Sequence, residues 1–499
     1  MLASFFRAAP DTTRRHTQRL WREYGIFWIG AVLVGLAAVF YARLIDIGYD
    51  RFESARLAHR WLPLIVTPLA SALTVWLTNK FFRGAEGSGI PQVIAMLHHD
   101  SSRLARSLLS LKVVAGKVFL SFIAILGGLT IGREGPTTQL GAALMVNMRR
   151  FYPRSNAAIE RQLALAGAAA GLSAAFNTPL AGIVFAIEEL TRSFEQRASG
   201  VLITAIIFAG IVALALNGNY TYFGTIDIGA HFPNLLAVAV VVTALVCGVA
   251  GGCFCWLLLN TQRWLPAPVM ALRLRQPVVF AAACGLVVAV IGVAMGGSTF
   301  GSGYAQARGL LEGQEQMSML YPLAKFASTI GSYIPGIPGG IFAPSLSIGA
   351  GIGNVMHAIF ANMSLPMLIA LAMVGYLAAV TQAPITSFVI VMEMINGHAL
   401  VISLMATALV ASRVSRIFAP PLYETLSARY IGHAAAVQNV VAADDGEGPA
   451  RDTDADTRTD ADTRTDADAD AETETRVSTR ADAASAAASE PPPSPNSPP

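Results

Sequence analysis

Long apolar stretches separated by short polar connections decide what this chain can become. They run at Gly25–Leu44, Leu62–Leu77, Leu111–Ile131, Val201–Leu216, Leu235–Leu259, Pro277–Met295 and Ala399–Ala411. A bilayer core about 30 Å thick takes about 20 helical residues. Several stretches reach that length, and others are shorter and broken by glycine or proline, as in transporters with discontinuous helices. Only 13% of the 499 residues are charged, against about 25% in an ordinary soluble domain. The expected fold class is an all-α polytopic membrane protein with no soluble catalytic domain, and the chain is not expected to be an enzyme.

Charge inside such a chain is costly, about 2.5–3.5 kcal/mol at the centre of a membrane helix on insertion scales. The run Gly132-Arg133-Glu134-Gly135-Pro136 nevertheless puts an acid between glycines at an expected helix start. Pro136 suits a first helical turn, and Gly132 and Gly135 allow a bend that turns free N–H groups toward a cavity. A helix start is an anion site, because unpaired donors and the positive dipole end meet there. Glu134 would compete with an anion for those donors, which is the design of a gate. Two further Gly/Pro breaks open short helices, Gly87-Ser88-Gly89-Ile90-Pro91 and Gly336-Ile337-Pro338-Gly339-Gly340-Ile341-Phe342-Ala343-Pro344. Irregular backbone at membrane depth is tolerated only where it is buried or lines a cavity. Three starts meeting at one point would bind an anion without a fixed cation, weakly enough for release.

The chain repeats itself. Pro136-Thr-Thr-Gln-Leu-Gly141-Ala142 matches Pro344-Ser-Leu-Ser-Ile-Gly349-Ala350 at an offset of 208, and Pro179 with Glu188 matches Pro384 with Glu393 at 205. A duplicated unit follows, with boundaries expected at 1–22 for an N-terminal segment, 23–232 and 233–431 for two membrane repeats, and 432–499 for a tail. Identity alone leaves open whether the repeat is parallel or inverted. The tail is rich in Asp, Thr, Ala and Pro, has almost no large apolar side chains, and is expected to be disordered.

Basic segments at Met1–Arg22, Arg103–Lys112, Arg149–Arg161, Arg192–Arg197 and Arg263–Arg275 read as cytoplasmic, with both termini inside. One connection disobeys, since Arg43, Arg51, Arg56 and Arg60 surround a loop that strict alternation puts outside. Cys247, Cys253, Cys255 and Cys284 read as inert packing thiols. Neither they nor the histidines show metal-ligand spacing, so no metal and no cofactor is expected. Arginines confined to short loops give no support to nucleic-acid binding. An intramembrane enzyme would need a second catalytic acid or a His/Glu metal pair on facing helices, and no such spacing appears.

The three breaks in this order, followed by Pro421-Leu422-Tyr423, resemble the CLC family of chloride channels and proton-coupled chloride exchangers over roughly Ile26 to Ile431. The resemblance implies an inverted-repeat fold of about eighteen helices and a homodimer with one pore per subunit. It also implies that chloride is held by the hydroxyls of Ser88 and Tyr423 and the backbone N–H groups of Ile341 and Phe342. Glu134 becomes the external gate and Lys117 a buried basic residue before it. Gly87, Gly89, Pro91, Gly132, Arg133, Gly135, Pro136, Gly340 and Pro344 support these positions. Glu189 matches the internal acid that passes protons in the exchangers, where channels usually carry an apolar residue. The acid favours exchange of chloride for protons over passive conduction, and Ser88 with an intact Gly340–Pro344 favours chloride. Nucleotide-binding CBS domains would follow Tyr423, and only the low-complexity tail does, which fits a bacterial inner-membrane member.

Each residue also has a structural reading. Glu134 can complement a helix dipole, Ser88 can be an N-cap, Tyr423 a belt aromatic and Lys117 a snorkelling lysine. For Glu188 the structural role is preferred, because its repeat mate Glu393 sits equivalently, whereas Glu189 is matched by Met394.

Overall fold

The computed structural model describes residues 11–98, 107–151, 156–191, 200–218, 221–224, 235–313 and 317–432. The chain divides into two units, Met1–Val440 and Val441–Pro499. The second, and with it most of the expected disordered tail, lies outside the described residues.

The first unit is helical throughout. In chain order come α1 (Asp11–Ala58), α2 (Pro63–Phe81), α3 (Ile90–His98), α4 (Leu111–Leu126), α5 (Glu134–Asn147), α6 (Ala157–Phe176), α7 (Pro179–Phe185) and α8 (Gly200–Asn217). A second series follows: α9 (Leu236–Leu259), α10 (Thr261–Trp264), α11 (Ala267–Arg275), α12 (Pro277–Ala294), α13 (Tyr304–Leu311), α14 (Tyr321–Tyr333), α15 (Phe342–Ile359), α16 (Leu365–Thr381), α17 (Pro384–Ile395) and α18 (Val401–Phe418). Eighteen α-helices are thus bounded among the described residues, with no β-strand among them. Five are long and apolar enough to cross a membrane: residues Gly25–Ala58 of α1, then α2, α9, α12 and α18. Their outward faces carry exposed apolar side chains such as Leu69, Val249 and Val290, which is how a lipid-facing surface looks. By contrast α16 is buried on every side from Met367 to Thr381, and an all-round apolar helix belongs in the middle.

The duplication is visible in the elements, since α2 to α8 return as α12 to α18. Two contacts identify it as inverted. The Glu188 carboxylate accepts the N–H groups of Ile385 (3.0 Å) and Thr386 (2.6 Å) at the start of α17. The Glu393 carboxylate, near the far end of α17, accepts those of Leu180 (3.1 Å) and Ala181 (2.8 Å) at the start of α7. Each element caps its mate, so the two run antiparallel, as a twofold axis in the membrane plane requires. Glu188 therefore has the structural role preferred from the sequence. Close packing is duplicated too. Gly141 of α5 abuts the Gly167 carbonyl of α6, as its repeat mate Gly349 of α15 abuts the Met373 backbone of α16, small residues letting helices touch.

The disobedient loop is a correction. α1 runs unbroken to Ala58, so Arg43, Arg51 and Arg56 lie on a helix and only Arg60 in the connection. Two of them serve as ties. Arg43 donates to the Leu216 carbonyl at the end of α8 (2.8 Å), and Arg56 pairs with Glu53 and donates to the Gly296 carbonyl (3.1 Å). Arginines spent on helix-end carbonyls carry little topology information. The stretch Leu111–Ile131 also stops early as a helix, at Leu126, where Gly128 turns to a positive φ of +78° with no room for a side chain against the Phe52 ring.

Candidate functional site

The three Gly/Pro breaks converge and are bonded to one another. Gly132 and Gly340 exchange both backbone hydrogen bonds at 2.7 Å, an isolated antiparallel bridge. The Gly87 carbonyl accepts the Gly339 N–H (3.1 Å) and the Lys117 ammonium (3.2 Å). Gly135, in the first turn of α5, packs so tightly on Ser88 that a Cβ there would collide with its Oγ. Gly87 and Gly89 both adopt positive φ, +66° and +106°, a conformation glycine accepts readily, and this bends the chain around Ser88 into α3. The starts of α3, α5 and α15 therefore meet at a single junction.

At that junction the polar side chains are buried and unsatisfied. Ser88 and Tyr423 are 0% exposed, and neither hydroxyl has a hydrogen-bond partner although the two lie close together. Glu134 is 0% exposed as well, and neither carboxylate oxygen is hydrogen-bonded. Its carboxylate faces backbone N–H groups of its own turn and of Ala343 without reaching hydrogen-bond geometry. A buried polar group left unpaired costs about 1–3 kcal/mol, and three such groups meet at this point. Ile341 is the residue before α15 and Phe342 its first. The Phe342 ring stacks on Tyr423 at 6.1 Å and 10°, walling the junction with aromatic faces.

The remaining expected residues fall around it. Arg133 turns away from Glu134, donating to Asp46 (2.7 Å) and to the Ala42 carbonyl (3.1 Å). Lys117 is fully buried and holds the Gly87 break, so it does not snorkel. Pro91, Pro136 and Pro344 sit in the first turns of α3, α5 and α15, where a missing N–H costs nothing. Ser88 makes no cap bond, and Tyr423 is too deep for a belt aromatic. Glu189 is 2% exposed and lies within electrostatic range of Tyr423, on a π-helical turn, Ala186–Thr191, that continues α7. Such turns recur at functional sites; here the extra residue sends Glu188 outward to α17 and Glu189 inward.

Two cavities flank the junction. One of about 580 Å³ is lined by Arg43, Asp46, Arg133, Tyr222, Ser302, Tyr304 and Arg308, beside Glu134's neighbour. The other, about 270 Å³, is lined by Glu86, Gly87, Arg273, Tyr333, Arg429 and Tyr430, beside Ser88's neighbour. Among the described residues no His, Cys, Asp or Glu cluster could hold a metal. Sequence reasoning missed the second-half copy of the first break. Gly301 and Gly303 have φ of +64° and +83° around Ser302, and buried Lys325 donates to the carbonyls of Thr299 (2.9 Å), Phe300 (3.4 Å) and Gly301 (2.9 Å). The signal was present: Gly-Ser-Gly recurs at an offset of 214 and the lysine at 208.

A family model described as voltage gated chloride channel matches residues 70–416. The chain belongs to this family, the CLC family. Among similar CLC proteins, the H(+)/Cl(-) exchange transporter ClcA of Citrobacter koseri is 30% identical over 390 residues, 76% of this chain and 80% of that one. The protein of the same name from Cronobacter sakazakii is 29% identical over 428 residues, 80% of this chain and 87% of that one. Among solved CLC structures, a slow cyanobacterial Cl-/H+ antiporter superposes with a TM-score of 0.71 at 22% identity, covering 82% of this chain and 98% of that one. A CLC-type fluoride/proton antiporter gives 0.68 at 19%, covering 80% and 96%.

Proposed function

We propose that this protein exchanges chloride for protons across the membrane, with Glu134 as external gate and Glu189 as internal proton acceptor. The observation that carries the reading is the buried carboxylate of Glu134, unpaired at the junction that also holds the unpartnered hydroxyls of Ser88 and Tyr423. Chloride is coordinated by those hydroxyls and by N–H groups of Ile341 and Phe342, with Lys117 holding the Ser88 break in place. As a carboxylate, Glu134 occupies the outer anion position; protonated, it loses its claim on the donors and leaves. A carboxylate and a chloride exclude each other by like charge and by sharing donors, and that exclusion is the coupling. Glu189 supplies protons from the cytoplasmic side by a separate branch. The exchange activity named for the bacterial relatives supports this reading. So does an acid at 189, where a passive channel has no use for one.

The proposal extends to setting. The repeats span 23–232 and 233–431, both termini are cytoplasmic, and the membrane is a bacterial inner membrane. The unit pairs with a second copy of itself, each copy with its own pore. The deciding measurement is a reversal potential in bilayers containing purified protein. An exchanger's potential moves when pH alone is changed; a potential that follows the chloride gradient only makes the protein a passive channel.

A further inference from the structure

Gly132 and Gly340 stand 208 positions apart, as do Glu134 and Phe342, the first residues of α5 and α15. Their paired hydrogen bonds therefore join two half-helices two residues before each begins. Both glycines are buried, and amide hydrogen bonds strengthen where water is excluded. A two-point tie fixes separation as well as contact, which one bond or loose side-chain packing cannot. The donors that face the Glu134 carboxylate come from both starts, its own turn and Ala343. The distance between those donor sets is thus set at the glycine pair.

Why glycine stands at both positions is a matter of space and not of backbone freedom, since neither has positive φ. A Cβ on Gly340 would lie 3.0 Å from the Gly135 nitrogen and 3.3 Å from the Gly132 carbonyl oxygen, backbone atoms that cannot rotate aside. One methyl there separates the two starts by a few tenths of an ångström. A Cβ on Gly132 would instead fall on the Glu134 carboxylate, displacing the gate along with the spacing. The two glycines do one job from opposite sides, but only Gly340 can be changed without touching Glu134.

We propose that the Gly132–Gly340 pair is the specificity-determining spacer of the outer anion position, holding the α5 and α15 starts at the separation that favours chloride over larger anions. The proposal rests on the reading of this junction as an anion path. Widening the gap withdraws donors from a small anion and makes room for a large one, whereas a site governed by donor field strength alone keeps its order of preference.

The test uses the full-length protein in vesicles, with efflux of chloride, bromide and thiocyanate measured under identical gradients. Gly340→Ala should raise the bromide-to-chloride and thiocyanate-to-chloride rate ratios roughly threefold, less than the discrimination a whole methylene provides. Gly331→Ala is the control, because a Cβ there meets the Val288 side chain at 3.0 Å, an equally tight contact between α14 and α12. It should leave both ratios as in wild type. Unchanged ratios in a folded, chloride-moving Gly340→Ala protein, or an equal change in Gly331→Ala, overturn the proposal. Should Gly340→Ala not fold, a semisynthetic chain with the residue 340 N–H replaced by an ester oxygen removes one of the two bonds without adding volume. Its ratios should shift the same way, and constant ratios there count equally against the spacer. Proton flux recorded in the same vesicles separates this idea from the exchange reading. A wild type that sorts anions but moves no protons sinks exchange and leaves the spacer standing. A coupled wild type with an unresponsive Gly340→Ala sinks the spacer alone.

Discussion

Where the first half of the membrane unit carries Ser88, buried with an unpartnered hydroxyl, the second half carries Ser302, half-buried at the larger of the two flanking cavities and accepting the Tyr304 N–H at 3.4 Å. Glu134 opens α5, and Phe342 opens α15. Glu189 follows one capping acid, and Met394 follows the other. Yet Lys117 and Lys325 each hold a Gly-Ser-Gly break by its carbonyls, and Glu188 and Glu393 each cap the other half's helix. The lysines and the capping acids, present twice, are joined to backbone and do the work of scaffolding, whereas the two serines share a position but not a partner. Glu134 and Glu189, present once, are buried. Transport chemistry should therefore lie in the differences between the halves, and stability in what they share.

The largest effects should come from the unshared acids. Glu134→Gln should reduce proton flux to background while chloride efflux continues, and its chloride rate should lose the pH dependence expected of wild type. On the proposed mechanism acid protonates Glu134 and speeds chloride, whereas an amide has nothing to protonate. Persistent proton pumping in this variant removes Glu134 from the scheme. Glu189→Gln should also stop proton movement while chloride still binds by calorimetry. Its repeat mate offers the contrast, since Met394→Leu should leave the proton-to-chloride flux ratio unchanged. A ratio altered as much by Met394→Leu as by Glu189→Gln would mean that the proton step responds to packing rather than to the acid.

Much of this division was legible in the residues themselves. The breaks at Gly87, Gly132 and Gly336 announce nearby helix starts because glycine bends the chain there and proline suits a first helical turn. Glu188 was assigned to structure from its mate alone, and the caps bear that out. What escaped notice lay in three dimensions. The Gly132–Gly340 bridge joins residues 208 apart and leaves no local pattern. The arginines at 43 and 56 looked like loop charges because hydropathy falls wherever charge appears, even while the helix continues. Ser302 and Lys325 escape a repeat marked by proline and glutamate, because the offset falls from 214 at Gly87 to 205 at Pro179 along the chain.

The shared lysines should show a smaller effect, and on folding instead of flux. Lys325 holds three carbonyls and Lys117 one, so Lys325→Met should destabilise the protein more than Lys117→Met. Each orphaned buried carbonyl costs about 1–3 kcal/mol, offset in part by removing a buried charge. Unfolding midpoints in detergent measure the order. A larger loss from Lys117→Met would mean that the first copy carries a load beyond its one carbonyl.

The smallest effect is expected where the halves match best. Glu188 and Glu393 each accept two helix-start N–H groups at 2.6–3.1 Å, and both caps are partly open to solvent. Loss of such a cap costs about 1 kcal/mol. Glu188→Ala and Glu393→Ala should therefore lower the unfolding midpoint by similar amounts, and the double variant should lose about their sum if each cap holds its own helix. A double loss clearly below that sum would show that the first substitution already frees both helices. The two caps would then form one latch between the halves, and the boundary between duplicated scaffold and single-copy chemistry would have to be drawn elsewhere.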